Sequence, residues 1–282
     1  MSMNQAGNAA QIDYWNATAG QTWAAFQAQL DLQLEPLGAE GIRVLAPSPG
    51  EHILDIGCGC GHTSFALAER VRPSGAVVGV DISQPMLTVA KDRSPSFSAH
   101  APVFRQADAQ IDDLGQAAFD GAFSRFGVMF FSDPVAAFTN IRHALKPGGR
   151  LAFVCWRPLD ENPWMSVPLE AARPLLPPQP AAEPSTTGPF AFADPSHVRA
   201  ILDEAGFSAI SITPFDARVG SGGLEETVAL CRRIGPLGAA LRENPDRADE
   251  VLGVVREALA AYLSPMGVLM PAAVWIVSAA AT

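Results

Sequence analysis

From position 52 onward the apolar residues of this 282-residue chain follow two alternating rhythms. Short continuous apolar runs predict strands over 52–56, 76–80, 102–106, 119–125 and 149–156, because a strand buried on both faces carries little polar alternation. Between them, apolar side chains recur every three or four residues and predict helices over 62–72, 84–92 and 134–145. Ser83 stands at the cap position of the second helix, with Pro85 in its first turn. Strand and helix taking turns in this way give a parallel sheet with helices on both faces, an α/β fold.

The flanks follow other patterns. Ile12 to Phe26 and Leu30 to Leu45 have helical spacing, the second segment interrupted by Pro36 and the Gly38/Gly41 pair. Residues 1–46 therefore read as a helical cap lying on the mouth of the sheet. From Arg157 to Asp194 the alternation stops, and Pro158, Pro163, Pro168, Pro174, Pro177, Pro178, Pro180, Pro184 and Pro189 oppose long helices. This stretch is too long for an ordinary connection and follows the fifth strand on the ligand side of the sheet, so it is expected to be a lid or substrate-shaping insertion. A solvated linker would leave Trp164, Phe190 and Phe192 in water. Asp194 to Ala205 then reads as a capped helix closed by Gly206, and Phe207 to Thr213 as a sixth strand. Helices are expected over Gly223–Ile234 and Arg247–Leu263, and a last strand over 271–279. The implied organisation is a core over 47–213 carrying the 157–194 insertion, a helical insertion over 214–270, and a return to the core sheet over 271–282.

The first strand leads into the densest chemical signal. Leu54-Asp55-Ile56-Gly57-Cys58-Gly59-Cys60-Gly61-His62 is an apolar strand opening through three alternating glycines into a helix, and Val77-Val78-Gly79-Val80-Asp81 ends the next strand in an acid. Glycines at such a turn adopt positive φ and let the backbone approach a ligand, while the first N–H groups of the helix face it. Asp81 ends beside them, where its carboxylate can accept two hydrogen bonds from a ribose diol. The spacing narrows the ligand. A dinucleotide fingerprint needs a third glycine at position 62 or 64, where this chain has His62 and Ser64. A nucleoside cofactor without a pyrophosphate fits better than NAD(P), although a nicotinamide-dependent oxidoreductase stays open as the alternative.

Several segments in order carry a family resemblance. Glu51 to Gly61, Gln106-Ala107-Asp108-Ala109, Phe119-Asp120-Gly121-Ala122-Phe123-Ser124-Arg125-Phe126 and Leu145-Lys146-Pro147-Gly148-Gly149-Arg150-Leu151 resemble class I S-adenosylmethionine-dependent methyltransferases. The likeness covers roughly residues 11 to 213 and is greatest to the bacterial small-molecule branch related to ubiquinone and menaquinone biosynthesis enzymes. It implies a Rossmann-like seven-stranded sheet, mostly parallel, with the last strand antiparallel between the fifth and sixth. It also implies S-adenosyl-L-methionine as cofactor and a small-molecule methyl acceptor.

By that resemblance Gly57, Cys58, Gly59 and Gly61 form the turn against the methionine moiety, Asp55 helps hold its amino group, and Asp81 takes the ribose. Ile82 and Met86 flank the adenine, Asp108 accepts from its amino group, and Ala109 contacts the ring through its backbone. Ser124, Arg125 and Phe126 end the fourth strand beside the sulfonium, and Tyr14, Trp15 and Trp23 resemble aromatic lid residues. Met129, Trp156 and Trp164 are the expected substrate contacts. The residues alone also fit plainer roles: Asp108 as a turn or cap residue, Asp55 as a strand-end cap, Met86 and the tryptophans as packing. No residue stands out as a catalytic base, which keeps a non-catalytic cofactor-binding module as a further alternative.

Composition bears on partners and location. A hydrophobic share of 48% supports a sizeable core, and the net charge of −10 without a Lys/Arg cluster opposes nucleic-acid substrates. The four cysteines form neither a disulfide framework nor a zinc-ligand pattern, and the five histidines are scattered, so no metal is expected. Without a signal segment or an apolar run of about eighteen residues, the expected location is the cytoplasm. A homodimer is compatible with the extra helices.

Overall fold

The structure is a computed structural model that describes residues 3–94, 100–177 and 187–281, with side chains from residue 8; Pro178, Pro180 and Pro184 lie outside the described residues. Three helices open the chain: α1 (Met3–Asn16), α2 (Thr18–Ala25) and α3 (Gln27–Leu45). The alternating part follows as β1 (His52–Ile56), α4 (His62–Val71), β2 (Ala76–Asp81), α5 (Gln84–Arg93), β3 (Val103–Gln106), β4 (Phe119–Arg125), α6 (Pro134–Ala144) and β5 (Leu145–Trp156). Then come α7 (Pro163–Ala172), α8 (Pro195–Glu204), β6 (Phe207–Val219), α9 (Leu224–Cys231), α10 (Gly235–Glu243) and α11 (Ala248–Ala260). A two-residue hairpin, β7 (Leu263–Ser264) with β8 (Gly267–Val268), leads into β9 (Met270–Ala281).

The sheet has the order β3-β2-β1-β4-β5-β9-β6. Its first five strands are parallel, while β9 runs antiparallel to both β5 and β6, between them. The register aligns Asp55 with Gly79 and with Phe123, so β1, β2 and β4 end nearly level. Their following turns therefore open side by side at one edge of the sheet, where a parallel α/β sheet binds ligands.

The sheet is longer than its apolar runs suggest. β5 begins at Leu145, which pairs with Phe119 of β4 ahead of a shift in register, and β6 continues to Val219 because it pairs along β9 as far as Met270. The third helix corrects the sequence reading, since it continues through Pro36, Gly38 and Gly41. Pro36 deprives only the carbonyl of Leu32, an exposed residue, of its partner. The two glycines face inward: a Cβ on Gly41 would stand 2.6 Å from Val154 and 2.9 Å from Phe123. They are the means by which α3 lies against β4 and β5.

The Pro-rich segment likewise holds a helix, α7, with Pro163 in its first turn and Pro168 inside it. Buried Asn162 anchors it, donating through Nδ2 to the carbonyls of Arg157, Pro158 and Ala273 and accepting from the Ala273 N–H. An apolar cluster separate from the sheet core joins Ala172 of α7 to Leu237 and Leu241 of α10 and to Val251, Val255 and Leu259 of α11. Ser83 does not cap α5 with its side chain; its hydroxyl donates to the Trp15 carbonyl at 2.7 Å, and Asn16 Oδ1 accepts the Gln84 N–H at 2.9 Å instead. A residue of α1 thus supplies the cap from across the cleft.

Candidate functional site

The turn after β1 places Gly57, Gly59 and Gly61 at φ of 65°, 54° and 85°. Gly57 has a second constraint, because a Cβ there would stand 2.7 Å from the Cα of Gly127, just beyond β4. Asp81 ties this turn to the end of β2. Its Oδ2 accepts the Gly59 N–H and its Oδ1 the Ser83 N–H, each at 2.8 Å. Burial pushes the Asp81 carboxyl above its ordinary range, against the pull of those backbone donors.

An open cleft of about 1250 Å³, counting the space at its mouth, runs from this turn beneath the N-terminal helices. At one end lies Asp108, which accepts the Gln110 N–H at 2.9 Å and the side-chain amide of Asn8. Asn8 also accepts from Ser132 Oγ, so α1 is pinned to the loops after β3 and β4. Ile82, Met86 and Ala109 line the same end. Trp15 and Trp23 close it from above, edge to face at 5.9 Å, with Phe130 5.1 Å from Trp15.

The other end is aromatic. Phe126 adopts φ of 66°, a left-handed conformation uncommon for a bulky side chain. Its ring lies flat on Trp156 with centroids 4.0 Å and planes 7° apart, so the turn beyond β4 and the end of β5 form one surface. Met129 lies on the wall beside them.

A charged corner sits between these ends. Asp31 of α3 pairs with Arg93 of α5 at 2.9 Å and lies 4.0 Å from Arg125, whose guanidinium meets His62 Nδ1 at 3.0 Å. Burial lowers both Arg125 and His62, and Arg125 lowers His62 further. Gly38 makes room for Arg125, since a Cβ there would stand 3.1 Å from its Cδ. Cys58 and Cys60 line the cleft as free thiols pushed up by burial, Cys60 to about 12, so neither is a thiolate nucleophile near neutral pH.

The structure sets Asp55, Gly61, Ser124, Tyr14 and Trp164 back from the cleft wall. Asp55 is fully buried, accepting from Thr63 Oγ1 at 2.8 Å and Ser64 Oγ at 2.5 Å; it is Thr63 that reaches the cleft. Burial pushes Asp55 up to about 6, and its Oδ1 has no partner. Gly61 is the left-handed residue just ahead of α4, and Ser124 Oγ donates to the Ile56 carbonyl at 2.8 Å, joining β4 to β1. Tyr14 is half exposed and lies outside Trp15, while Trp164 packs behind Trp156 at 5.2 Å. Asn8, Asp31, Thr63 and Gly127 are site residues with no motif of their own.

Residues 47–173 match the family described as "Methyltransferase domain". An O-methyltransferase of Pyrenophora dematioidea is 32% identical over 142 residues, covering 50% of this chain and 51% of that protein. The demethylmenaquinone methyltransferase of Lactococcus lactis is 32% identical over 116 residues, covering 41% and 46%. The chain spans about half the length of the curated relatives it matches. Among solved structures, the phosphoethanolamine N-methyltransferase 2 of Haemonchus contortus in complex with S-adenosyl-L-methionine shares the fold, with TM-score 0.52 and 18% identity over 87% of this chain and 52% of that one.

Proposed function

We propose that this chain, which carries a methyltransferase domain of the class I S-adenosylmethionine-dependent fold, transfers a methyl group to an O, N or C nucleophile of a small, largely apolar or aromatic metabolite. The observation that carries this reading is the joining of the Gly57–Gly61 turn, Asp81 and Asp108 along one cleft that ends at the stacked Phe126 and Trp156 rings. S-adenosylmethionine, when bound, supplies a methyl already activated on sulfur, which leaves by in-line displacement.

The residues present fit that cofactor. Gln11 Oε1 at the cleft wall and Asp55 Oδ1 behind it are buried acceptors without partners, and the cofactor brings two amino groups as donors. At Gly59 a Cβ would find nothing nearer than Met86 Sδ at 3.8 Å, so the space above the turn is free for a ligand. Asp81 would take the ribose hydroxyls, since each carboxylate oxygen keeps a lone pair beyond its backbone bond. Asp108 would take the adenine amino group, and Arg125 would face the cofactor's carboxylate.

What remains for the protein is to position and to exclude water. Phe126, Met129 and Trp156 give the acceptor side an apolar wall, which suits a ring or alkyl chain. Among the described residues lining the cleft there is no histidine, and the carboxylates of Asp31, Asp81 and Asp108 are engaged by Arg93, backbone N–H groups and Asn8. This favours an acceptor that loses its proton readily, such as an acidic hydroxyl, carboxyl or activated carbon. A net charge of −10 supports a small-molecule rather than a nucleic-acid acceptor, and a cytoplasmic location accords with reduced cysteines.

Calorimetry with S-adenosylmethionine and with NADPH, followed by transfer of a labelled methyl group to a metabolite extract, tests the reading. Binding of S-adenosylmethionine and a labelled product are expected. NADPH binding without S-adenosylmethionine binding would overturn it in favour of an oxidoreductase, and binding without any labelled product would favour a cofactor-holding module.

A further inference from the structure

A second cavity lies between α7 and the helices that precede the last strand. Its empty space, with the open solvent at its mouth included, comes to about 460 Å³, and it is walled by Met165, Leu230, Leu237, Val268 and Met270 among others. Among the described residues none with a charged side chain lines it. Two polar atoms on lining residues are buried without partners: the carbonyl oxygen Oε1 of Gln33 and the indole Nε1 of Trp164. Gln33 is 4% exposed, and its helix, α3, also carries Asp31 and Leu34 of the main cleft. Elsewhere in this wall the polar groups are already engaged, Ser221 Oγ donating to Thr227 Oγ1 and Thr227 Oγ1 to the Gly223 carbonyl.

An unmade hydrogen bond at a buried group costs about 1–3 kcal/mol, so two in one small cavity point to something that normally satisfies them. The chemistry of that group is constrained. Gln33 Oε1 only accepts and Trp164 Nε1 only donates, and a single hydroxyl group can donate to one and accept from the other. The surrounding wall is apolar and uncharged. We propose that this cavity is a second ligand site, for a small neutral molecule with an apolar body and one hydroxyl group, of which a phenol is the simplest type. The site is distinct from the methyl-transfer cleft, from which the Trp156–Trp164 pair separates it.

Phenol and toluene, alike in shape and differing in the hydroxyl, are the probes. The indole N–H resonance of Trp164 in the ligand-free full chain, identified by its loss in Trp164→Phe, is followed during titration with each. A saturable shift with phenol is expected, at an affinity about tenfold tighter than toluene's, the worth of the added hydrogen bonds. Gln33→Leu, followed at the same resonance, and Trp164→Phe, followed by calorimetry, should each weaken phenol several-fold, and the two together, again by calorimetry, should make toluene the better ligand. A shift that does not saturate, or equal binding of the two probes to the unaltered protein, would overturn the proposal and leave the two atoms to a bound water. No cofactor or methyl transfer enters the measurement, so its failure is separate from failure of the proposed activity. Were Trp164→Phe not to fold, the phenol–toluene comparison and Gln33→Leu would decide.

Discussion

Gly57 and Gly127 touch through their backbones: a Cβ on Gly57 would stand 2.7 Å from the Cα of Gly127, and one on Gly127 2.8 Å from the Cα of Gly57. Two turns, one after β1 and one after β4, thus meet where neither tolerates a side chain. Gly127→Ala is expected to cost about 1–3 kcal/mol of stability through overpacking against rigid backbone. Gly57→Ala should cost more, because its φ of 65° adds strain. Urea unfolding of each variant checks both values, and their order is the sharper test.

Asp81 has two tasks. Treated from sequence as a ligand acceptor, its removal would leave the fold intact; the structure adds its bonds to the Gly59 and Ser83 N–H groups. Asp81→Ala should therefore weaken S-adenosylmethionine binding by about 1–3 kcal/mol, a factor of roughly 5 to 150, and also lower the unfolding midpoint. Asp81→Asn, which keeps an acceptor oxygen, should spare more of the stability than of the binding. Calorimetry alongside denaturation separates the two losses.

Asp55 makes stability pH-dependent with a definite sign. Its carboxyl is raised from 3.8 to about 6, so between those values the folded chain holds a proton that the unfolded chain has released. The contribution is present below about pH 4 and is lost as pH rises through about 6, amounting to about 2–3 kcal/mol. Asp55→Asn does not titrate and should remove this slope. Urea midpoints from pH 4 to 8 should converge for the two proteins at the acid end and favour the variant at pH 8.

The stacked pair predicts a division of effects. Trp156→Ala removes the support on which the Phe126 ring lies. We expect acceptor kcat/KM to fall about tenfold or more while the S-adenosylmethionine Kd changes less than about threefold, since the loss falls on the acceptor side. Equal losses in both would place Trp156 at the cofactor instead.

What could be read from the chain was what is local. The apolar run at Ile53 to Ile56, the glycines after it and the acid closing β2 lie within thirty residues of one another, and their spacing alone orders them in space. Asp108 and the Ser124-Arg125-Phe126 strand end needed the resemblance, because an acid in a loop has many uses. Gly127, Asn8, Thr63 and Asp31 stayed hidden for a shared reason: each acts through a partner that only the fold brings near, as Asn8 does at Asp108, a hundred positions along the chain. Pro36 misled for the opposite reason, since its helix-breaking cost falls on the solvent side while the packing of Gly38 and Gly41 against β4 and β5 holds the helix together. Tyr14 and Trp164 are aromatic residues near the cleft whose side chains turn away from it, which composition does not encode.

The position of β9 bears on how the chain folds as it is made. Residues 270–281 run between β5, finished at residue 156, and β6, begun at residue 207, so two strands wait on a third that is synthesised after both. The parallel half that carries the cleft can assemble on the ribosome, but β6 has no neighbour until β9 emerges. During that interval both edges present unpaired N–H and C=O groups, which are templates for joining other nascent chains. Cutting the chain before β9 would make the interval permanent, and the product should aggregate rather than persist as a smaller α/β fold.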